Sequence, residues 1–235
     1  MGDFAISVVI PVFNEEENVA PQAAEIIEAL DDYPGGFELI YVDDGSTDNT
    51  AAEVEKASSS DERVRLVSMQ ENKGQVPAMM EGFVQARGDV IVTLDGDRQH
   101  DPRDIPALVA GVGAGVDIMC GYRKDRKDPL VGKRLPSLIF NFLLRLMFGV
   151  PIHDASCTLR AYRPDAIRSL KLYKYAISFI PILAARAGFS VGEMAIRHRP
   201  RAAGEAKYNS PARFIYTIRE MIAIRLGRRD HCLRR

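Results

Sequence analysis

The sequence predicts an α/β fold with a mainly parallel central sheet, and three observations predict it. Short β-branched apolar runs alternate with stretches in which Ala, Ile and Leu recur at helical spacing, the pattern of βαβ units. The predicted strands each stop at a polar or charged cluster, the edge where an open parallel sheet binds its ligands. A composition of 46% hydrophobic and 27% charged residues over 235 positions suits one large domain, or one domain with a smaller annex.

In chain order, Ile6–Val12 reads as the first strand, broken by Phe13-Asn14-Glu15-Glu16-Glu17-Asn18 and followed by a helix from about Val19 to Leu30. Phe37–Val42 is a second strand ending in Asp43-Asp44-Gly45-Ser46-Thr47-Asp48. Thr50 and Glu53 have capping-box spacing for a helix reaching about Ala57, and Ser58–Glu62 reads as a polar loop. Val64–Met69 is a third strand, ending in Asn72-Lys73-Gly74. Gln75–Arg87 then reads as a helix closed by Gly88. A buried strand, Val90–Thr93, leads into Leu94-Asp95-Gly96-Asp97-Arg98-Gln99-His100-Asp101-Pro102. A helix from about Pro102 to Gly113 and a strand Asp117–Tyr122 leading to Arg123 complete the first half.

Past residue 125 the character changes. Lys124–Asp128 is a solvated charged loop, and Leu135–Ile152 is apolar and aromatic, interrupted by Asn141 and Arg145. The interrupting Arg and flanking prolines make it a poor membrane span; a half-buried interfacial helix and a core helix of the annex both suit it. A helical stretch follows near Ile177–Ala187, then a strand Val191–His198 and a basic loop Arg199–Tyr208 suited to closing over phosphates. The final helix, Ala212–Leu226, groups Phe214, Ile215, Ile218, Ile222 and Leu226 on one side, away from Arg213, Arg219 and Arg225.

Charge is distributed unevenly although the net value is −1. Residues 1–60 carry fourteen acids and one base; residues 197–235 carry eleven bases and three acids. The basic end points to an anionic partner, and without any nucleic-acid module signature that partner is read as a membrane surface. Cys120, Cys157 and Cys232 are odd in number and widely spaced, so neither a disulfide framework nor a paired-cysteine zinc site is expected, and a cytoplasmic setting is. The amino terminus, with Asp3 early and a short apolar run, does not read as a signal peptide.

Five strand ends carry Asn14/Glu15, Asp43/Asp44, Asn72/Lys73, Asp95/Asp97/Gln99 and Arg123, a rim built for a polar, charged ligand. Asp-Gly-Asp by itself is also ordinary turn chemistry. Placed on this rim, the two carboxylates and the Gln99 amide form an oxygen-donor set suited to Mg²⁺ or Mn²⁺, whose remaining positions water and a diphosphate would fill. Three familiar sites are excluded. There is no P-loop, no nucleophile elbow, and Gly111-Val-Gly113 ends a helix where a dinucleotide fingerprint opens one.

These blocks together resemble the family-2 glycosyltransferases of GT-A fold, in the branch that transfers a sugar from a nucleotide to a polyprenyl (dolichyl or undecaprenyl) phosphate. The resemblance runs from about Ile6 to Tyr208. It rests on Val9–Glu15, Val42–Asp48, Asn72–Gly74, Leu94–Pro102, Gly121-Tyr122-Arg123, Lys133-Arg134-x-x-Ser137, Asp154-x-x-Cys157-x-x-Arg160-x-Tyr162 and Gly204-x-x-Lys207-Tyr208. It implies a three-layer sandwich with a small helical, acceptor- and membrane-facing annex. Residues 1–125 would form the nucleotide-sugar half, 126–210 the acceptor half of the same domain, and 211–235 a basic amphipathic helix and tail.

By the same resemblance, Pro11, Glu15, Asp43, Asp44, Lys73 and Asp95 would bind the donor, while Asp97 and Gln99 hold the metal. Arg123, Arg134, Ser137 and Lys207 would receive phosphates, and Asp97, Asp154 and Arg160 would make up the reaction centre. An acceptor phosphate is already anionic at neutral pH, so a single inverting displacement with Asp154 orienting groups is the expected chemistry. Arg98, Ala206 and Lys174–Phe179 depart from the usual pattern, and the last two leave the sugar open. The two membrane helices that many members carry beyond this stretch are not in the sequence, so a membrane-anchoring partner protein joins the expectations. Transfer to a soluble sugar hydroxyl and a non-catalytic nucleotide-sugar-binding subunit are the alternatives.

Overall fold

Residues 4–124, 135–172, 176–200 and 211–226 are described by the computed structural model. Among the described residues seven strands form, in chain order: β1 (Phe4–Val12), β2 (Phe37–Asp43), β3 (Val64–Ser68), β4 (Gly88–Thr93), β5 (Ile118–Arg123), β6 (Arg160–Tyr162) and β7 (Val191–Ile196). They make one sheet in the order β3-β2-β1-β4-β6-β5-β7. β1 pairs in parallel with β2 and β4, β2 with β3, and β5 with β7. Only β6 runs against its neighbours, with Thr93 opposite Arg160 and Cys120 opposite the same residue. The sheet is therefore mostly parallel.

Every residue of β2 is buried, because helices cover both faces. Successive residues of β1 feed opposite faces, as the two-residue period of a strand requires. Val8 and Ile10 pack with Val19, Ile26 and Leu30 of α1 (Glu16–Leu30), Val54 of α2 (Thr50–Ser60) and Leu108 of α4 (Ile105–Gly113). Val9 packs on the other side with Met79 and Phe83 of α3 (Gln75–Gln85), Ile167 of α6 (Pro164–Arg168) and Leu183 of α7 (Ile180–Arg186). Leu159, Ala161 and Ile196 enter the first core and Tyr162 the second, so residues from the later part of the chain complete both.

Several local expectations are corrected. The Thr50–Glu53 capping box does not form. Thr50 is the first helical residue, and the Asp48 carboxylate takes its amide at 2.9 Å and its hydroxyl at 2.5 Å. Ser58–Ser60 continue α2 rather than forming a loop, with the Ser59 and Ser60 hydroxyls donating to carbonyls four residues back. α3 stops at Gln85, and Gly88 opens β4 instead of capping the helix. A Cβ there would stand 2.6 Å from the Ser7 amide nitrogen, so only glycine lets β4 start this close to β1. β6 was not visible in the sequence, since three residues are too few to show a period.

α5 (Leu135–Phe148) buries Phe140, Asn141 and Leu144 and exposes Leu138, Ile139, Phe142 and Leu146. It packs on α8 (Pro211–Arg225), the last helix. The single apolar stripe expected for α8 is divided. Ile218 packs on the core beside the buried Met221 and Ile224, whereas Ile222 and Leu226 are exposed. Among the described residues no helix is long and apolar enough to cross a membrane. Cys120 and Cys157 are buried free thiols.

Candidate active site

Four strand ends are pressed together in two pairs at glycines. A Cβ on Gly96 would lie 2.9 Å from Val12 Cγ1 and 3.6 Å from both Glu15 Cγ and the Pro11 carbonyl, so the Asp95–Asp97 turn rests on the end of β1. Gly45, at φ +70°, backs onto Glu71 and Asn72, where a Cβ would meet backbone atoms at 2.8 Å. Pro11, Glu15, Asp43, Asp44, Lys73, Asp95 and Asp97 thus share one edge of the sheet.

The carboxylates on this edge have distinct partners. Asp44 accepts from the Lys73 and Gly74 amides, both at 2.8 Å, and so ties the end of β2 to the start of α3. Asp43 accepts from the Ser46 amide at 3.1 Å and from its hydroxyl. Glu15 takes the Asn18 side-chain amide at 2.7 Å, and its own amide donates to Thr50 Oγ1 at 2.8 Å. Lys73 reaches out, its Nζ 3.7 Å from Glu71.

Asp95 is gripped from two helices and a loop. Its Oδ1 accepts from Gln75 at 2.8 Å, its Oδ2 from the Thr158 hydroxyl at 2.5 Å, and its carbonyl from Gln22 at 2.7 Å. Asp97, 8% exposed, accepts the Gln99 amide at 3.1 Å. The intervening Arg98 adopts φ +58° and pairs with Glu25 of α1. Glu25 also binds Arg199, which reaches Asp101 at 2.9 Å. Arg103, then Arg199, hold the Asp101 carboxyl well below the usual carboxylate range. The Arg199 amide donates to the Gln99 carbonyl at 2.8 Å, so the chain after β7 closes one side of the Asp97–Gln99 turn.

Arg123, at the end of β5, meets Asp154 in a forked pair, Nε to Oδ2 at 2.7 Å and Nη2 to Oδ1 at 3.1 Å. Asp154 is 4% exposed, and Ser156 bonds both partners. His100 links this pair to the turn, lying under the charges of Asp97, Arg123, His198 and Asp154. Burial lowers its pKa to about 4, with Asp97 opposing and Arg123 reinforcing the shift. It is therefore neutral at pH 7, 3.4 Å from the Thr158 hydroxyl that holds Asp95.

Arg160 is fully buried, its guanidinium donating to the carbonyls of Ile177 at 2.8 Å and Ala155 at 2.7 Å, so it holds the loop carrying Asp154. Ser137 is half-buried near the start of α5. Arg134 and Lys207 lie outside the described residues, as does the rest of 201–210, where a basic loop was expected. Sequence reasoning missed Gln22, Gln75, Thr158 and His100. The last two sit inside quoted motifs, but nothing in their spacing shows which carboxylate they serve.

Carboxylate and amide oxygens at Asp97 and Gln99 fit a hard divalent ion. Among the described residues no group of three or more His, Cys, Asp or Glu is arranged around one point to hold a metal.

Beside the Arg123–Asp154 pair opens a concavity of about 210 Å³, lined also by Lys124, Leu138, Arg145 and His153. The side chains of Lys124 and Arg145 form no ion pair or hydrogen bond with the described residues. The opening is thus cationic on one side, with an exposed leucine at its wall.

Residues 7–171 match the model of a family described as glycosyl transferase family 2. The chain is 41% identical over 207 residues to a dodecaprenyl-phosphate galacturonate synthase of Rhizobium johnstonii, covering 86% of this chain and 61% of that protein. It is 38% identical over 204 residues to an undecaprenyl-phosphate 4-deoxy-4-formamido-L-arabinose transferase of Shewanella sediminis, again covering 86% and 61%. It thus spans 61% of the length of these two curated relatives. A glucosyl-3-phosphoglycerate synthase from Mycobacterium tuberculosis, solved with Mn²⁺, UDP and glucosyl-3-phosphoglycerate, superposes with TM-score 0.73 at 21% identity, over 97% of this chain and 81% of that one. A mannosyl-3-phosphoglycerate synthase from Rubrobacter xylanophilus gives 0.75 at 18%, over 97% and 76%. At these identities the likeness concerns the fold, which is of GT-A type.

Proposed function

Because the chain belongs to glycosyl transferase family 2, we propose that it transfers a sugar from a nucleoside-diphosphate donor, UDP- or GDP-linked, to a polyprenyl phosphate, with inversion and with Mg²⁺ or Mn²⁺. The observation that carries the reading is the convergence of the Asp95–Gln99 turn and the Arg123–Asp154 pair on one sheet edge, beside a cationic concavity. The names of the relatives support the acceptor class, and the Mn²⁺ and UDP of the solved structure support a divalent ion.

In this reading Pro11, Glu15, Asp43, Asp44, Lys73 and Asp95 form the donor side. Asp43 and Asp44 act largely through the turns they organise, and Asp97 and Gln99 hold the ion. A divalent ion, when bound, offsets the charge that grows on the leaving diphosphate. Arg123 supplies positive charge for phosphate oxygens, with Arg134, Ser137 and Lys207 as further contributors. Asp154 holds Arg123 in one orientation, which matters because a preorganised charge needs no rearrangement as the reaction proceeds. The acceptor phosphate enters as an anion and needs little help from a base. Arg160 serves the reaction centre by fixing the loop beneath Asp154.

The exposed apolar side of α5 and the basic carboxyl-terminal stretch support a peripheral position on the cytoplasmic face of a membrane, with a membrane-anchoring partner protein alongside. The test is to incubate the purified chain with Mg²⁺ or Mn²⁺, a polyprenyl phosphate and a panel of UDP- and GDP-sugars. Formation of one lipid-linked product is expected; transfer only to soluble sugar hydroxyls, or donor binding without turnover, would reject the proposal.

A further inference from the structure

The backbone of residues 153–155 is held by side chains from three separate elements. Glu193 of β7, its side chain only 6% exposed, accepts from the His153 amide at 2.9 Å and from the Asp154 amide at 3.1 Å. Asn141, buried in α5, donates to the His153 carbonyl at 2.7 Å and accepts from the Ala155 amide at 3.3 Å. Arg160 takes the Ala155 carbonyl from below. A buried carboxylate and a buried amide are costly unless their polar atoms are met, and here the loop that presents Asp154 to Arg123 meets them.

Glu193 has one more partner. Its Oε2 lies 2.7 Å from His153 Nδ1, and the His153 ring stands 5.6 Å from that of Tyr122. His153 is 60% exposed in its side chain and lines the same concavity as Arg123, Lys124 and Arg145. Its Nε2 has no hydrogen-bond partner among the described residues. A carboxylate on Nδ1 fixes the tautomer and leaves the lone pair on Nε2. A surface ion pair would contribute little to stability, whereas a buried carboxylate that orients an exposed imidazole beside unpaired cations is the arrangement of a binding group.

We propose that His153 is a further contact for the acceptor's anionic head and that Glu193 is the residue positioning both His153 and Asp154. This rests on the polyprenyl-phosphate reading above. Nε2 and a phosphate monoester oxygen share one proton. A ring nitrogen and a phosphate oxygen are bridged by one hydrogen bond whichever of the two carries the proton. No bond other than that to the proton is made or broken. Leu138, on the wall of the concavity and exposed, leads from the head toward Phe142 and Leu146, so the ligand is an amphiphile with one charged end.

The test uses the full chain, the donor found by the panel, and two acceptors: a long polyprenyl phosphate and a short, water-soluble isoprenyl monophosphate. His153→Gln, at an exposed side chain, is expected to raise the KM for both acceptors by about tenfold or more. The donor KM and Tm should stay unchanged. Glu193→Gln keeps an oxygen for the amides but loses the charge facing Nδ1, and should raise both acceptor KM values as His153→Gln does. Glu193→Ala should also lower kcat by loosening Asp154. An unchanged acceptor KM in His153→Gln at wild-type Tm overturns the inference, as does an effect on the donor KM or one confined to the long acceptor. Wild-type protein that makes no lipid-linked product would instead reject the proposed function, a separate readout.

Discussion

Arg123 and Asp154 lie 31 positions apart in the chain yet share two side-chain hydrogen bonds of 2.7 and 3.1 Å, and this pair joins the end of β5 to the loop after α5. Both side chains are nearly out of solvent, 12% and 6% exposed, so the pair is held in one geometry rather than exchanging with water.

Asp154→Asn keeps the shape and removes the charge. Transfer should fall by about a hundredfold, the usual size of losing one preorganised electrostatic partner. Stability should drop by about 3–5 kcal/mol, because Arg123 is left buried and uncompensated. Steady-state kinetics and urea unfolding check the two parts. Turnover lost only with hydroxyl acceptors would contradict the anionic-acceptor argument.

Asp97→Ala should abolish metal-dependent turnover while leaving the fold intact, since Asp97 sits on the turn at the sheet edge and belongs to neither apolar core. Calorimetric titration with Mn²⁺ and a nucleoside diphosphate should show the loss directly. Full activity without added metal in either protein would rule out the assignment of Asp97 and Gln99.

Stability at acid pH should depend on Glu38, at the opposite pole of the sheet. Burial pushes its carboxyl up, but Ser7, Arg87 and Arg65 together more than reverse this and leave its pKa below the ordinary 4.5. Its contribution is therefore full above about pH 4.5 and is lost as pH falls through the lower folded-state value. Glu38→Gln should cost about 3 kcal/mol at neutral pH and flatten the acid limb of a Tm-against-pH curve.

Membrane binding should depend on the exposed side of α5. Phe142 and Leu146 are 56% and 70% exposed, and changing both to Asp should abolish flotation with vesicles rich in anionic lipid. The wild-type chain should float, and rising salt should weaken it as the basic side chains are screened. Flotation unaffected by the double change would sink the assignment of this face.

The chain's local order told a good deal. Strand–helix alternation and the polar ends of β1, β2, β4 and β5 identify an α/β sheet with a charged rim, because two-residue and 3.6-residue periods are written directly in the side chains. What the rim residues do once folded was not legible. Asp44, expected on the donor side, also binds the amides that open α3, and Arg160, expected in the reaction centre, also braces a loop from beneath. Gly88 looked like a helix cap and is a close approach between strands. Thr158, Asn141 and Glu193 carried no signal, since their partners are Asp95, His153 and Asp154, and for Thr158 and Glu193 these lie dozens of positions away. Periodicity is a property of neighbours in sequence, so the sequence alone determined the longer elements and their polar ends. Hydrogen-bond satisfaction is a property of neighbours in space, so only the folded sheet, with antiparallel β6 inserted between β4 and β5, decided which polar groups bind one another.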